Sequence, residues 1–395
     1  MNHSVYIRNS YHTPFKMLPE ETLYSLYAKA LIEVIETSEF SIDDVDAVFV
    51  ANYSGGSFNQ QEHIAPYAVN IGPRLRGKPM YRVEAACASG ASAVDLANMA
   101  IYSGKIDTAV VIGIEKMTQL DTSGVTSALA KASYFPSEGG MGFSFPALFS
   151  EYAKGWLKHY QFSNEQLQYW LALISSKAYS LGAQNPLAQL RTERTVEELL
   201  ALPDNKNPEI ASPLRLHDCS PISDGAAAII LSRHQPIEKR VRLADIETCC
   251  DYLNIIESKK PNHQLEVATQ AIDTILSRNK LSINNIQFAE IHDCFTISEL
   301  LMYSALGIAK PGREFQALES GDVLPGGKCV VNPSGGLKSK GHPVGATGVS
   351  MHVLAYRQLI NEASGYQVEN AENAIIVNLG GSAATNVVSL ISREE

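Results

Sequence analysis

What most constrains the fold of this chain is that it repeats itself. Ser41-Ile-Asp-Asp-Val-Asp-Ala-Val-Phe-Val50 returns in pattern as Ser282-Ile-Asn-Asn-Ile-Gln-Phe-Ala-Glu-Ile291. Each reads as a helix-to-strand turn feeding a buried strand. Gly90-Ala-Ser-Ala-Val opens a helix in the first half and Gly345-Ala-Thr-Gly-Val opens one in the second. The apolar strands Ala109-Val-Val-Ile-Gly-Ile-Glu115 and Ala374-Ile-Ile-Val-Asn-Leu-Gly380 follow those helices or their counterparts. Asp224-Gly-Ala-Ala-Ala-Ile-Ile-Leu-Ser-Arg233 is then echoed by the stretch from Gly381 to Arg393. Four echoes in the same order predict two similar α/β halves related by a pseudo-twofold.

The strands are continuous apolar runs, the pattern of sheets covered on both faces. Their alternation with amphipathic helices predicts a layered α/β architecture. One stretch has no counterpart in the second half. Between Gly113 and Asp224 it carries Phe143-Ser-Phe-Pro-Ala-Leu-Phe, a helical segment over 165–179 and the polar run Asn185–Arg194. It is read as a cap over the active site, the alternative being a structural insertion remote from the chemistry. The predicted division is residues 1–118 with 214–240 as one half, 119–213 as the inserted loop domain, and 241–395 as the other half.

Composition removes several classes of function. With 395 residues, 45% hydrophobic and 19% charged, the chain has the make-up of an ordinary globular protein. A net charge of −10 and the lack of a basic stretch argue against a nucleic-acid partner. No apolar run reaches the roughly 18 residues of a membrane span. Neither a signal-peptide pattern at the start nor an organellar address at Ser392-Arg-Glu-Glu395 is seen, so a cytoplasmic location is expected. The six cysteines lack framework spacing and are expected to be thiols.

Three separated segments concentrate the reactive side chains. Cys87 sits where a strand over 80–86 meets a helix from Ser89. There the free N–H groups and the helix dipole favour an anion and predict a lowered thiol pKa. His342 lies in Asn332-Pro-Ser-Gly-Gly-Leu-Lys-Ser-Lys-Gly-His-Pro-Val-Gly-Ala-Thr-Gly348, where dense glycine lets the backbone approach a ligand or another strand closely. His292-Asp-Cys294-Phe follows an apolar strand and precedes a helix near Ser298. A second thiol there suits acid/base work, its ordinary pKa of about 8.5 lying close to operating pH. Without a Cys-x-x-Cys pair, no metal is expected. Cys219, Cys249, Cys250 and Cys329 are read as structural, and Glu115 as an anchor for neighbouring loops.

Together the Ala-Ala-Cys87-Ala-Ser-Gly-Ala, Asp218-Cys-Ser-Pro-Ile-Ser-Asp-Gly and Gly341-His-Pro-Val-Gly-Ala-Thr-Gly348 segments resemble the thiolase family along nearly the whole chain. The His-Asp-Cys-Phe segment is similar to the sterol-carrier-protein-type branch. Ordinary thiolases have Asn-Glu-Ala-Phe there and a second catalytic cysteine in a Cys-x-Gly-Gly loop, where this chain has Asn378-Leu-Gly-Gly381. The resemblance implies a thiolase-like αβαβα arrangement and a thioester exchange between acyl-CoA molecules with no further cofactor. It implies Cys87 as acyl carrier, His342 as its base, His292 and His342 at the thioester oxygen, and Cys294 at the α-carbon proton. Backbone N–H groups of Cys87 and Gly380 would form an oxyanion hole, and Ser220 and Gly341 would lie on the substrate path. Acyl-CoA and CoA are the implied partners, with a homodimer or dimer of dimers and a possible small accessory protein. Two alternatives stay open: a ketoacyl synthase-like acyltransferase on carrier-protein thioesters, in which Cys294 is dispensable, and a non-catalytic lipid- or protein-binding relative.

Overall fold

A computed structural model describes residues 4–238 and 240–394. Its strands are β1 (Val5–His12), β2 (Ala47–Ala51), β3 (Met80–Val83), β4 (Thr108–Glu115), β5 (Glu209–Ala211) and β6 (Leu214–Arg215). They continue as β7 (Gly225–Ser232), β8 (Val241–Cys250), β9 (Phe288–Ile291), β10 (Val330–Val331), β11 (Asn373–Gly380) and β12 (Thr385–Arg393). Among the described residues, ten of them join in the order β10-β9-β11-β12-β8-β1-β7-β4-β2-β3.

That order carries the repeat. From each edge inward the directions match: β2 is parallel to β3 and β4, as β9 is parallel to β10 and β11. The next two pairings are antiparallel in both halves, β4 to β7 to β1 and β11 to β12 to β8. The halves meet where β1 runs antiparallel to β8, Tyr6 opposite Arg242. The first echo is also structural. Ser41 and Ser282 each form a capping box, with Asp44 and with Asn285, around a single 3₁₀ turn that feeds β2 and β9. Both strands are wholly buried, which is why their sequences are apolar throughout.

The helices Ser89–Tyr102 and Thr347–Leu359 pack on each other and on strands of both halves, forming the middle layer. Their mutual approach explains the echoed glycines. A Cβ on Gly90 would come within 2.5–2.6 Å of the Gly348 and Val349 backbone, so only hydrogen fits. Leu23–Glu36 covers β7, β4 and β1 on one outer side, and Glu266–Arg278 covers β12 and β8 on the other. The main core cluster runs through both halves, uniting Val111 and Ile229 with Ile376 and Val388.

Several expected boundaries move. The strand expected over 80–86 ends at Val83, because the chain must turn to present Cys87. The helix expected near Ser298 starts at Thr296, and the one over 165–179 spans Asn164–Gln184. Between β4 and β7 the chain forms the helices Thr122–Ala130, Phe145–Tyr160, Asn164–Gln184 and Val196–Ala201 and the β5–β6 hairpin. The division expected at residue 213 falls between the two strands of that hairpin.

Candidate active site

Cys87 is placed by a strained turn. Ala86, just before it, has φ +51°, a region that disfavours a side chain. Three bonds hold it there. Glu84 Oε1 accepts from Ala86 N at 2.6 Å, Ser89 Oγ donates to Ala86 O at 2.6 Å, and Ala85 N donates to Ser89 Oγ at 2.9 Å. Small residues at 85, 86 and 88 make the turn possible. The thiol is only 8% exposed, and burial pushes it up to about 12, with the Glu115 and Glu84 carboxylates pushing the same way and the Gly381 N–H opposing them. The lowered pKa expected from the helix N-terminus is therefore reversed, since desolvation of the thiolate outweighs the dipole. Such a thiol needs a base beside it.

His342 is built to be that base. Its Nδ1 lies 2.7 Å from Thr347 Oγ1, whose own proton goes to Pro343 O at 3.0 Å. The hydroxyl oxygen then accepts from Nδ1–H, which leaves the Nε2 lone pair free. Burial and the Lys340 ammonium push the imidazole down to about 3, so it is neutral at working pH. His342 N donates to Ser223 Oγ at 3.1 Å, tying the glycine-rich loop to the chain before β7.

His292 has the opposite tautomer. Asn378 Nδ2 donates to Cys87 O at 3.0 Å, which fixes the amide orientation, and the same nitrogen lies 3.1 Å from His292 Nδ1. His292 Nδ1 therefore accepts, and Nε2 carries the proton. That Nε2 is buried with no partner among the described residues. The two rings meet edge to face at 5.1 Å between centroids. Burial and the neighbouring His342 and Lys340 hold His292 well below its ordinary pKa. Asn378 thus occupies the Cys-x-Gly-Gly cysteine position with a different task, orienting His292. Asp293, the residue after His292, accepts from Leu337 N at 2.7 Å and Lys338 N at 3.2 Å. It locks the His292 loop to the His342 loop, a role the sequence did not reveal.

Cys87, His292 and His342 offer ligand atoms within 4.8 Å of one another. Closeness of this kind could suit a metal ion, but a protonated Nε2 on His292 offers no lone pair to one. It does suit proton transfer and hydrogen bonding to an oxyanion. Cys87, Cys294 and His342 border a cavity of about 400 Å³ whose walls are mostly apolar. Val125, Leu129 and Phe145 come to it from the segment between β4 and β7. Cys294 is buried, and desolvation above all, with the Asp293 carboxyl beside it, holds its thiol well above the ordinary value.

Other expected site residues divide. Ser220 borders the cavity, and its N–H donates to Cys294 O at 2.9 Å. Gly341 is not among the residues that border it, and with φ +113° and its open side against Phe15 and Ser223, backbone shape by itself requires glycine there. Of the two glycines, Gly381 borders the cavity and Gly380 does not, and the Gly381 N–H is the backbone group that opposes the rise in the Cys87 pKa. Glu115 does anchor loops. Its carboxylate accepts from Tyr53 N, Asn52 Nδ2 and Gly345 N at 2.8–2.9 Å, joining β4 to the His342 loop, while burial raises its pKa to about 7. All six cysteines are free; Cys329 is in the core, whereas Cys219 borders the cavity.

Residues 5–164 match the thiolase N-terminal domain and residues 250–393 the thiolase C-terminal domain-like family. The chain is 35% identical over 387 residues to an acetyl-CoA acetyltransferase of Methanothermobacter thermautotrophicus, covering 96% of this chain and 97% of that one. It is 30% identical over 326 residues to human sterol carrier protein 2, covering 79% of this chain and 58% of that protein. The solved Ltp2-ChsH2(DUF35) aldolase shares the fold, with a TM-score of 0.81 at 17% identity over 100% of this chain and 99% of that one. The chain belongs to the thiolase family, near the sterol-carrier-protein branch that its His-Asp-Cys-Phe segment resembles.

Proposed function

We propose that this protein is an acyl-CoA:acetyl-CoA C-acyltransferase that makes or cleaves 3-ketoacyl-CoA through an acyl-Cys87 intermediate. The observation that carries the reading is the convergence of the Cys87 thiol with two neutral imidazoles of opposite tautomer beneath an apolar cavity. In the cleaving direction, His342 Nε2 takes the Cys87 proton and the thiolate attacks the 3-keto carbon. The oxyanion forms against the Cys87 and Gly381 N–H groups. Collapse breaks the bond between the α-carbon and the keto carbon. The departing enolate oxygen is held by His292 Nε2–H and its carbon takes the Cys294 proton. CoA then attacks the acyl-Cys87 thioester, giving its proton to the Cys294 thiolate, and Cys87 recovers its own from His342. Cys294 starts this direction protonated, as its buried thiol favours. The thioester acidifies the α-carbon, so the reading needs no additional cofactor.

Relatives named as acetyl-CoA acetyltransferases over nearly the full length favour this reading over a carrier-protein synthase. A homodimer is part of it. β3 is an edge strand, and Tyr81 on it and Met99 on the helix Ser89–Tyr102, which packs against β3, are 46% and 50% exposed, an unpaired apolar edge of the kind that proteins cover. Free cysteines throughout suit a cytoplasmic location, and no described helix is long and apolar enough to cross a membrane. The ChsH2(DUF35) component of the solved aldolase is the precedent for an accessory protein. The test is CoA-dependent cleavage of 3-ketoacyl-CoAs of increasing chain length by the purified protein. Cleavage of at least the shorter ones is expected, and none at any length contradicts the reading.

A further inference from the structure

The turn that brings the Gly381 amide to Cys87 is gripped from behind by a buried cation. Lys260 comes from the loop between β8 and the helix Glu266–Arg278, and its side chain is 3% exposed. Its Nζ donates to Ser382 O at 2.9 Å and Ala383 O at 3.2 Å, and pairs with Asp251 Oδ2 at 3.1 Å. Three ammonium protons thus meet three acceptors. Asp251 returns to the same turn through its backbone, N to Ala384 O at 2.7 Å. Tyr152, on the capping helix Phe145–Tyr160, donates its hydroxyl to Ser382 O at 3.0 Å, and Asn386 Nδ2 donates to Ala383 O at 3.0 Å.

The turn needs such restraint. Gly381 has φ +61°, and Ala383, which carries a Cβ, has φ +60°. Within the turn Ala384 N donates to Gly380 O at 2.9 Å, and the β11–β12 ladder closes on it where Gly380 faces Thr385. Burying a lysine is costly unless every proton is matched, and here the matches fall on the turn and on the Asp251 carboxylate. Both Lys260 and Tyr152 are buried, and neither borders the cavity.

We infer that Lys260, assisted by Tyr152, is a positioning residue for acyl transfer, holding the Gly381 N–H where the oxyanion on the tetrahedral carbon at Cys87 forms. This rests on the reading of Cys87 as the acyl carrier. It assigns Lys260 to the formation and breakdown of acyl-Cys87 and leaves the α-carbon proton step to the Cys294 loop.

Rapid-quench intact-mass spectrometry with saturating acetyl-CoA gives the rate of Cys87 acetylation, and calorimetry gives the affinity for CoA. For Lys260→Met the acetylation rate should fall at least about 10-fold, less than loss of the amide itself, with CoA affinity unchanged. Tyr152→Phe, which unpairs no charge, should slow acetylation by a smaller factor and also leave CoA affinity alone. A wild-type acetylation rate in Lys260→Met, or a rate that falls only in step with CoA affinity, overturns the inference. Should Lys260→Met fail to fold, Tyr152→Phe decides: an unchanged rate overturns it. If the wild-type protein acquires no acetyl group at Cys87, the reading of the nucleophile fails and the inference with it.

Discussion

Asn378 sets what His292 can do, because one amide nitrogen donates both to Cys87 O and to His292 Nδ1. In Asn378→Asp a carboxylate would accept from Nδ1–H, moving the proton off Nε2 and removing the donor aimed into the site. Turnover should fall by about 10²-fold or more, the usual effect of losing an oxyanion donor; steady-state kinetics showing wild-type turnover would contradict the tautomer assigned to His292. Cys87 and His342 make a neutral pair in the resting state, with the thiol pushed up to about 12 and the imidazole down to about 3. The thiolate fraction of Cys87 therefore rises about tenfold per pH unit through neutrality. Alkylation of Cys87 by iodoacetamide should keep accelerating from pH 6 to at least about pH 10, whereas a plateau below pH 7 would reveal a thiolate–imidazolium pair. Cys294→Ala should still acquire an acetyl group while losing thiolysis by about 10²–10⁴-fold, as for a missing acid/base group. Near wild-type thiolysis in that variant would return the ketosynthase-like alternative.

The elements present these side chains because loops at the ends of β3, β9 and β11 converge, and buried carboxylates stitch the loops together. Glu115 at the end of β4 reaches Gly345 N in the His342 loop, and Asp293 reaches Leu337 N and Lys338 N. In Glu115→Gln an amide N–H₂ would face converging N–H donors. Thermal or denaturant unfolding should show a loss of about 1–3 kcal/mol, the cost of a buried unsatisfied group; unchanged stability would mean that the joint is not under load. Much at this scale was legible in the sequence. Ser41 and Ser282 announce their turns through local capping, and the strands after them are apolar because both faces are covered. What was not legible depends on distance in the chain. The sequence does not show that Gly341 must also leave room for Phe15 and Ser223. The choice of Gly381 over Gly380 depends on a turn held by Lys260, and the burial that raises the Cys87 pKa depends on a cap supplied by the segment between β4 and β7. Local pattern specifies elements; which atoms face one another is settled by packing between remote segments.

At the scale of the whole molecule, the repeat gives two half-sheets of the same strand order, each ending its central strands at one shared site. The first half brings Cys87 and the second brings His292, Cys294, His342 and Gly381, so neither half holds the chemistry alone. The exposed β3 edge beside Tyr81 and Met99 supports pairing of two copies next to the Cys87 turn. Light scattering at micromolar concentration should give a mass about twice the 43.0 kDa of one chain, and Tyr81→Glu should shift it toward the monomer; a wild-type monomer would contradict the pairing. Acyl transfer in this protein depends on Cys87 as the residue that carries the acyl group. Intact-mass spectrometry after brief mixing with acetyl-CoA should show one acetyl adduct per chain, mapped by peptide analysis to Cys87 and absent in Cys87→Ser. An adduct on Cys294, or one that persists in Cys87→Ser, would contradict it.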